Sequence, residues 1–270
     1  VVYELSSYQL DDVRYSPHIA VFLNIFPDHM NYHLSYEKYF AAKSCITRFQ
    51  RENDYFIYNK HIADIAELAK HTKAQIIPII DKLPISVENI SLRGEHNMEN
   101  INAAFTVAKL FSISEVEFEQ AVRSFTPLAH RLQTVGTYKG IMFINDAAAT
   151  TPQSTIYALK TYKNTTTLFL GGQDRGYDFT DLVQNIRNSM IENIVLFPDT
   201  DKVIKKLLTG GSCLFFETRN MDEAVKWAFQ HTRPGKTCLL STASPSYSLW
   251  RNFEEKGSMF MKSVVKYGTT

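Results

Sequence analysis

The chain has 270 residues, a hydrophobic fraction of 44% and a charged fraction of 21%, which is typical of a soluble globular protein with two domains. Its formal net charge of +1, without a basic block or stripe, gives no electrostatic basis for binding nucleic acid. No apolar run approaches the roughly 20 residues that cross a bilayer. We therefore expect neither a nucleic-acid nor a membrane partner.

Three cysteines, Cys45, Cys213 and Cys238, are widely separated in the sequence. They form neither a CxxC metal motif nor an even-numbered disulfide framework, so we expect a reducing, cytoplasmic location. The chain begins with Val1 rather than Met, and we expect that its natural start is missing.

Short β-branched runs alternate with helical patterns along nearly the whole chain. Strands are predicted at 1–5, 19–25, 55–58, 75–80, 141–144, 167–170, 194–197, 213–216 and 237–240. Helices are predicted at 35–49, 62–70, 98–110, 114–124, 153–161, 179–188, 202–208, 221–229 and 252–266. This alternation predicts an α/β fold with βαβ units and mainly parallel sheets.

Local signals mark helix starts and a domain boundary. Ser114 with Glu117 three residues later is a capping box, and Asp178 is a candidate N-cap. Pro127 follows the last helix of the first half, so we divide the chain into domains 1–127 and 128–270. The second domain has the pattern of a small α/β domain with about five parallel strands. The first has the pattern of a sheet that lacks its beginning.

Polar side chains follow the predicted strands at three places, where open α/β sheets bind ligands. The first is Glu4, which ends an apolar run and precedes a hydroxyl-rich turn. A buried carboxylate there needs a partner or a cation. Composition alone leaves open an edge-strand glutamate that faces water.

The second place is the Asp28-His29 pair after the run at 19–25. It is compatible with a metal site or with a hydrogen-bonded loop pair. Lys43 follows on the next predicted helix, where Ala41 and Ala42 leave room beside it for a bulky group. An exposed lysine is the alternative.

The third place is the strand end at Asp146, followed by Thr150 and Thr151. A carboxylate there can accept hydrogen bonds from ribose hydroxyls, and the helix that follows can attract an anion with its N-terminus. Helix capping alone also explains the threonines. No GxxxxGK[ST] phosphate loop and no GxGxxG occurs in the sequence, so any nucleoside triphosphate site in this chain is incomplete.

In this order and spacing, these segments resemble one family, the Mur ligases, and within it the members that add glutamate to UDP-N-acetylmuramoyl-L-alanine. The matching segments are ELSSYQL at 4–10, LNIFPDHM at 23–30, YFAAK at 39–43, GEHNMEN at 94–100, His130-Arg131, Asn145-Asp146 with Ala149-Thr150, LGG at 170–172, and 239–257 with Ser246, NFE and Gly257. The resemblance implies a truncated central ATPase-like domain followed by a Rossmann-like C-terminal domain.

The resemblance also implies a two-step ligation, in which ATP and Mg²⁺ convert a carboxylate of UDP-N-acetylmuramoyl-L-alanine to an acyl phosphate that the amine of glutamate attacks. By the same resemblance, the magnesium positions are Glu4, His29 and Lys43, the last as a carbamate. The catalytic set is Lys43, His29 and Asp146, and the ATP set is Asn97, Asn100, Arg131 and Asp146. The substrate set has two parts: Ser6, Ser7 and Gln9 lie nearer the muramoyl peptide, whereas Thr150, Arg175, Ser246 and Phe253 lie where the family holds the incoming amino acid.

The chain departs from the family pattern at two cationic positions. Ala148 stands where the family more often has a lysine, and Arg175 stands where a lysine often binds a carboxylate of the amino acid. Arg175 keeps the charge but presents a planar fork, so its contact geometry differs from that of a lysine. The sequence therefore leaves the acceptor open among D-glutamate, L-glutamate and other acidic amino acids.

Two other interpretations remain open at this point: another amide ligase of the same superfamily, such as one that extends folates, and a non-catalytic nucleotide-binding or interaction module. The joint presence of Glu4, His29, Lys43, Arg131 and Asp146 argues against the module, which needs no metal sites. We expect a monomer. We also expect that the 270 residues alone do not turn over ATP, so that a phosphate-release assay with both substrates stays at background.

Overall fold

The computed structural model describes residues 1–86 and 90–270, which form two compact units, Val1–Phe125 and Thr126–Thr270. We call them unit 1 and unit 2. The domain division predicted from the sequence, at 127, falls close to this point. The expected α/β class is confirmed.

Unit 1 contains a three-stranded parallel sheet with the strand order β1-β2-β3. Its elements are α1 (Ser7–Asp11), β1 (Ile19–Phe22), α2 (Met30–His33), α3 (Tyr36–Arg48), β2 (Tyr55–Tyr58), α4 (Ala63–Ala69), β3 (Gln75–Pro78), α5 (Glu95–Leu110) and α6 (Glu115–Ser124). Phe22 and Phe56 of the sheet pack with Tyr39 of α3 and Ile65 of α4 in one buried cluster. Helix α3 packs its apolar side chains on the sheet. The polar side chains of α3 therefore face the loops at the sheet edge.

The strand predicted at 1–5 is wrong, because this stretch has no regular secondary structure. A capping box begins helix α1 directly after it: Ser6 accepts a hydrogen bond from the Gln9 amide, and the Gln9 side chain accepts one from the Ser6 amide at 2.9 Å. Val1 and Val2 are fully exposed. The Ser-x-x-Gln spacing is the sequence signal for this helix start.

Unit 2 contains a six-stranded sheet with the order β4-β5-β9-β6-β7-β8, in which only the β4–β5 pairing is antiparallel. Its elements are β4 (Gln133–Tyr138), β5 (Ile141–Asn145), α7 (Pro152–Thr161), β6 (Thr165–Gly171), α8 (Thr180–Arg187), β7 (Asn193–Phe197), α9 (Asp201–Leu208), β8 (Leu214–Glu217), α10 (Met221–His231), β9 (Thr237–Leu240) and α11 (Phe253–Thr269). The five parallel strands agree with the number predicted.

The central strands of unit 2 are buried on both faces. Leu168 and Leu170 of β6 face one cluster, which includes residues of α7, α8 and α9, whereas Phe169 faces the opposite cluster with residues of α10 and α11. Since successive strand side chains point to opposite faces, continuous apolar runs produce this double covering. Because apolar side chains cover both faces of these strands, polar groups gather at the strand ends.

The predicted helix starts agree with the structure to within a few residues. The Ser114–Glu117 capping box is present as predicted. Helix α8 begins at Thr180, one residue later than predicted, with Phe179 as the N-cap, and the Asp178 carboxylate accepts a hydrogen bond from the Thr180 amide at 2.8 Å. Within 1–86 and 90–270, no helix has the length and apolar character needed to cross a membrane.

Helix α11 packs tightly against His130 at Gly257. A Cβ atom built on Gly257 would lie 2.2 Å from Nδ1 of the His130 ring. That ring nitrogen is 2.9 Å from Nδ2 of Asn145, which also donates to the Gly257 carbonyl at 3.3 Å. Glycine at position 257 therefore permits a contact that ties α11 to the end of β5.

We predict that Gly257→Ala lowers the free energy of unfolding of unit 2 by about 1–3 kcal/mol, because the added methyl group overpacks the His130 contact. In an unobstructed helix the same change would stabilise by up to about 1 kcal/mol. Urea unfolding followed by tryptophan fluorescence reports on unit 2, which holds both tryptophans, Trp227 and Trp250. Ser258→Ala, one residue further along α11, is the control; a G257A midpoint equal to both wild type and this control would contradict the packing account.

Candidate active site

Unit 1 has a cavity of about 350 Å³ at the polar face of α3. Three segments meet there: the start of α1, the loop after β1, and α3 itself. The residues that line it are Glu4, Leu5, Ser6, Ser7, Gln9, Asp28, His29, Tyr39 and Lys43. The structure thus brings together every residue of unit 1 that the sequence assigned to metal or muramoyl-peptide contacts.

His29 is held in an uncommon backbone conformation. Its φ of 57° and ψ of 32° are left-handed, and its backbone amide donates to the Asp28 carboxylate at 2.7 Å. The second oxygen of Asp28 lies 3.4 Å from Nε2 of His29, and the ring packs on Tyr8 with 4.9 Å between centroids. A non-glycine residue in this region is strained and is often found at functional sites.

Lys43 lies on α3 with its side chain half-buried in the cavity. Burial lowers the pKa of its ammonium, and the nearby carboxylates of Glu4 and Asp28 partly oppose that effect. Burial and the charge of Asp28 raise the pKa of Tyr39, beside it, to about 12. The lysine is therefore more easily deprotonated than an exposed lysine, whereas the tyrosine keeps its proton.

The hydroxyl-rich residues of the cavity already have internal partners. Ser6 and Gln9 cap α1, and the Ser7 hydroxyl is buried at 3.0 Å from Nε2 of His33. In this structure these hydrogen bonds fix the start of α1, next to Glu4. Contacts with a substrate would add to these bonds.

The cavity offers carboxylate oxygens and the His29 imidazole as ligands for a metal ion. Within the part of the chain that the structure describes, no three His, Cys, Asp or Glu side chains lie close enough to hold an ion, so Glu4, Asp28 and His29 do not form such a group by themselves. Magnesium is commonly held by one or two carboxylates together with phosphate oxygens of a substrate. Glu4 and Asp28 fit that pattern. Lys43 as an ammonium has no acceptor and can join only after modification.

Asn97 and Asn100 lie on the first two turns of α5, outside the lining of this cavity. Nδ2 of Asn97 donates to the Arg93 carbonyl at 2.7 Å, and Nδ2 of Asn100 lies 3.3 Å from Oδ1 of Asn97. Asn97 is half-buried and Asn100 is exposed. Two linked amides on one helical face can present both donors and acceptors to a planar ring.

In unit 2, the polar residues lie in loops at the carboxyl edge of the sheet: the β5 loop (146–151), the β6 loop (172–179) and the β9 loop (241–249). Gly171 and Gly172 leave no room for a Cβ, which would lie 2.0 Å from the Phe197 carbonyl oxygen and 2.3 Å from that of Pro245. Both glycines have a positive φ. The LGG segment quoted from the sequence therefore lies in close backbone contact with the end of β7, through Gly171, and with the β9 loop, through Gly172.

Asp146 is buried in the β5 loop, where it is 6% exposed. One carboxylate oxygen accepts from the Leu132 amide at 3.1 Å, and the other accepts from the Ser241 hydroxyl at 2.8 Å. Burial raises the pKa of this carboxyl to about 7 despite these bonds and the attraction of Arg131 and Lys256. The group that the sequence assigned to ribose contact thus already joins three segments of unit 2.

The residues assigned to the amino acid are placed differently. Thr150 is half-buried in the β5 loop, and Arg175 lies in the β6 loop with its Nε 3.4 Å from Oε1 of Gln173. Oγ of Ser246 is buried and has no hydrogen-bond partner among the described residues. Phe253 begins α11 and packs against the apolar cluster of that face. Arg131 is exposed just before β4.

Lys256 is the charged residue of this edge that the sequence analysis missed. It is completely buried on α11, and Nζ donates to Oγ1 of Thr242 in the β9 loop. A lysine is normally interpreted as exposed. Lys256 lies three residues after Phe253 and four residues before Phe260, which places it on the buried face of the helix. This spacing was the sequence signal for its burial.

Comparison with known proteins agrees with this architecture. A family model of the Mur ligase middle domain matches residues 1–83, and one of the Mur ligase glutamate ligase domain matches residues 130–244. The chain is 36% identical, over 98% of its length, to proteins of Bacillus cereus strain AH820 and Bacillus anthracis strain A0248 named UDP-N-acetylmuramoylalanine–D-glutamate ligase. It spans 63% of the length of these relatives.

Solved structures support the fold. The crystal structure of MurF from Acinetobacter baumannii has a TM-score of 0.73 at 18% identity, covering 95% of this chain and 62% of that one. The UDP-N-acetylmuramate–alanine ligase MurC of Thermotoga maritima has a TM-score of 0.67 at 16% identity, covering 97% and 62%. The two family models together match most of the chain, and the Bacillus relatives are 36% identical to it. The chain belongs to the Mur ligase family.

We predict that Asp146→Asn changes how the stability of unit 2 depends on pH. A carboxyl whose folded pKa is about 7, above its ordinary value of 3.8, stabilises the fold fully below about pH 4 and loses that stabilisation as pH rises through about 7. The unfolding free energy lost over this pH range is at most about 4 kcal/mol. The amide that replaces the carboxyl does not ionise, so the stability of D146N relative to wild type should increase as the pH rises.

The measurement is urea unfolding by tryptophan fluorescence between about pH 4 and pH 8. Asp181→Asn, at an exposed position on α8, is the control. If the free energies of unfolding of D146N and wild type changed in parallel with pH, that result would contradict a buried Asp146 that binds a proton.

Proposed function

We propose that this chain acts in the ATP-dependent ligation of glutamate to UDP-N-acetylmuramoyl-L-alanine, a step in making peptidoglycan precursors. The observation that carries the proposal is the cavity of unit 1, where Glu4, Asp28, His29 and a half-buried Lys43 meet. The reaction that names the Bacillus relatives supports D-glutamate as the acceptor.

The proposed metal site uses Glu4, His29 and a carbamylated Lys43. Mg²⁺ bound there would neutralise the negative charge of the phosphate and carboxylate oxygens. The imidazole of His29 is held between the Asp28 carboxylate, 3.4 Å from Nε2, and the ring of Tyr8. The exposed Glu4 carboxylate is available to a ligand that enters the cavity.

Lys43 is suited to carbamylation because the reaction requires a neutral amine. The neutral nitrogen attacks the carbon of CO₂, an N–C bond forms as one C–O π bond opens, and one proton leaves to solvent, so that the neutral amine becomes a carbamate anion. Burial lowers the pKa of Lys43 and so increases the neutral fraction. The space that the sequence analysis expected from Ala41 and Ala42 lies elsewhere, because the two alanines do not line the cavity of Lys43.

The two chemical steps need little covalent help from the protein. An oxygen of the muramoyl-alanine carboxylate attacks the γ-phosphorus of ATP, and ADP leaves. The neutral amine of glutamate then attacks the acyl carbon, phosphate leaves, and the nitrogen loses a proton. Positioning and charge compensation therefore account for most of the rate, and cationic and hydroxyl groups are what the two units supply.

We assign the remaining roles by unit. In unit 1, Asn97 and Asn100 contact adenine, and Ser6, Ser7 and Gln9 contact the muramoyl peptide. In unit 2, Arg131 and Asp146 contact the nucleotide. Asp146 already accepts two hydrogen bonds, which leaves fewer of its lone pairs for the nucleotide.

Glutamate is assigned to Thr150, Arg175, Ser246 and Phe253. The buried Ser246 hydroxyl supports this assignment, because a polar atom without a protein partner among the described residues is stabilised when a ligand supplies the missing hydrogen bond. Arg175 supplies the positive charge for a carboxylate of the amino acid.

We predict that Lys43→Met lowers kcat for ligation about 100-fold or more, since it removes the amine that becomes the carbamate ligand of the metal. The assay is phosphate release by the full-length natural protein with ATP, Mg²⁺, UDP-N-acetylmuramoyl-L-alanine and D-glutamate. Lys38→Met, exposed on the same helix, is the control and should keep wild-type activity. No turnover of wild type with any acidic amino acid, or equal rates for K43M and K38M, would overturn the proposal.

A further inference from the structure

Lys256 has a side chain with no solvent exposure, although it carries an ionisable ammonium group. Lysine is almost never fully buried without a partner, because removing the charge from water is unfavourable. Its position on the first turns of α11 places Nζ beneath the carboxyl edge of the sheet, where the β5 and β9 loops begin. A cation kept at such a position has a role that an apolar side chain of similar length cannot perform.

One set of contacts leads from Lys256 to both loops. Nζ donates to Oγ1 of Thr242 at 2.5 Å. That hydroxyl, fully buried, lies 3.1 Å from the Ser244 carbonyl and 3.5 Å from the Ala149 carbonyl, and it has one proton to donate between them. The ammonium therefore orients the Thr242 hydroxyl so that its proton points at the loop backbones. Ala149 and Ser244 are near neighbours in sequence of Thr150 and Ser246.

Electrostatic attraction links Lys256 to the β5 loop a second time. Burial lowers the pKa of Lys256 to about 7, and the charge of Asp146, buried at the start of that loop, opposes this effect. The same carboxylate accepts a hydrogen bond from Ser241, the first residue of the β9 loop. Both loops are thus joined through Asp146 at their first residues and through Thr242 further along.

We infer that Lys256 is a positioning residue for the amino acid, holding the β5 and β9 loops in the arrangement that presents Thr150 and Ser246. The inference rests on the proposed function, because it assigns Lys256 to the glutamate site of that reaction. Lys256 does not touch the amino acid, since its side chain is completely buried. Its effect is expected in the binding of glutamate rather than of ATP.

The experiment measures KM for D-glutamate, KM for ATP and kcat by phosphate release with the full-length natural protein. Lys256→Met removes the charge at similar length, and Thr242→Val removes the hydroxyl that receives the ammonium. We expect each to raise KM for D-glutamate about tenfold, with KM for ATP changed less than about threefold. Thr242→Ser keeps the hydroxyl and should restore most of the affinity. Lys262→Met, exposed on the same helix, should match wild type.

The outcomes separate this inference from the proposed function. Turnover by wild type with an unchanged KM for D-glutamate in K256M and T242V overturns the inference alone. A rise in both KM values together overturns it too, because a general loss of structure explains that result. If K256M does not fold, T242V against T242S decides. Absence of turnover by wild type overturns the inference and the proposed function together.

Discussion

A charge that leaves water must meet an opposite charge or hydrogen bonds, and both candidate sites are built around that requirement. In unit 1, the half-buried Lys43 lies with the carboxylates of Glu4 and Asp28 around one cavity. In unit 2, the buried Asp146 is compensated by Ser241, by the Leu132 amide and by attraction to Lys256. Because the sheets are mainly parallel and their central strands carry apolar side chains, such groups gather at the carboxyl ends of the strands.

The same constraint connects stability with function. Glycines at 171, 172 and 257 let backbone and ring atoms approach closely enough to form a compact edge in unit 2. The β9 loop is buried from Ser241 to Ser246, and among the described residues its buried hydroxyls have hydrogen-bond partners except for that of Ser246. A rigid edge with one such hydroxyl is suited to holding a small polar ligand, since the loops need little reordering on binding.

Sequence reasoning predicted the features that depend on local pattern. The alternation of apolar runs located β2 and β9 with correct bounds, and the order of short motifs indicated the family before any contact was known. It failed where tertiary structure overrides local preference. The apolar run at 1–5 is not a strand, because the capping box at Ser6 begins a helix and no strand within 1–86 and 90–270 pairs with the run. The left-handed backbone of His29 is held by a hydrogen bond to the adjacent Asp28, and the burial of Lys256 depends on packing against residues distant in sequence. The residue types alone predict neither feature.

We propose that the cavity of unit 1 holds a divalent cation through Glu4, His29 and modified Lys43. The most direct test of this proposal is the binding of Mn²⁺, as a paramagnetic substitute for Mg²⁺, to the 270-residue chain in bicarbonate buffer, followed by electron paramagnetic resonance. We expect Glu4→Gln to weaken Mn²⁺ binding about tenfold or more, whereas Glu37→Gln, at an exposed position on α3, leaves it unchanged. Equal Mn²⁺ affinity for wild type and E4Q would contradict the account.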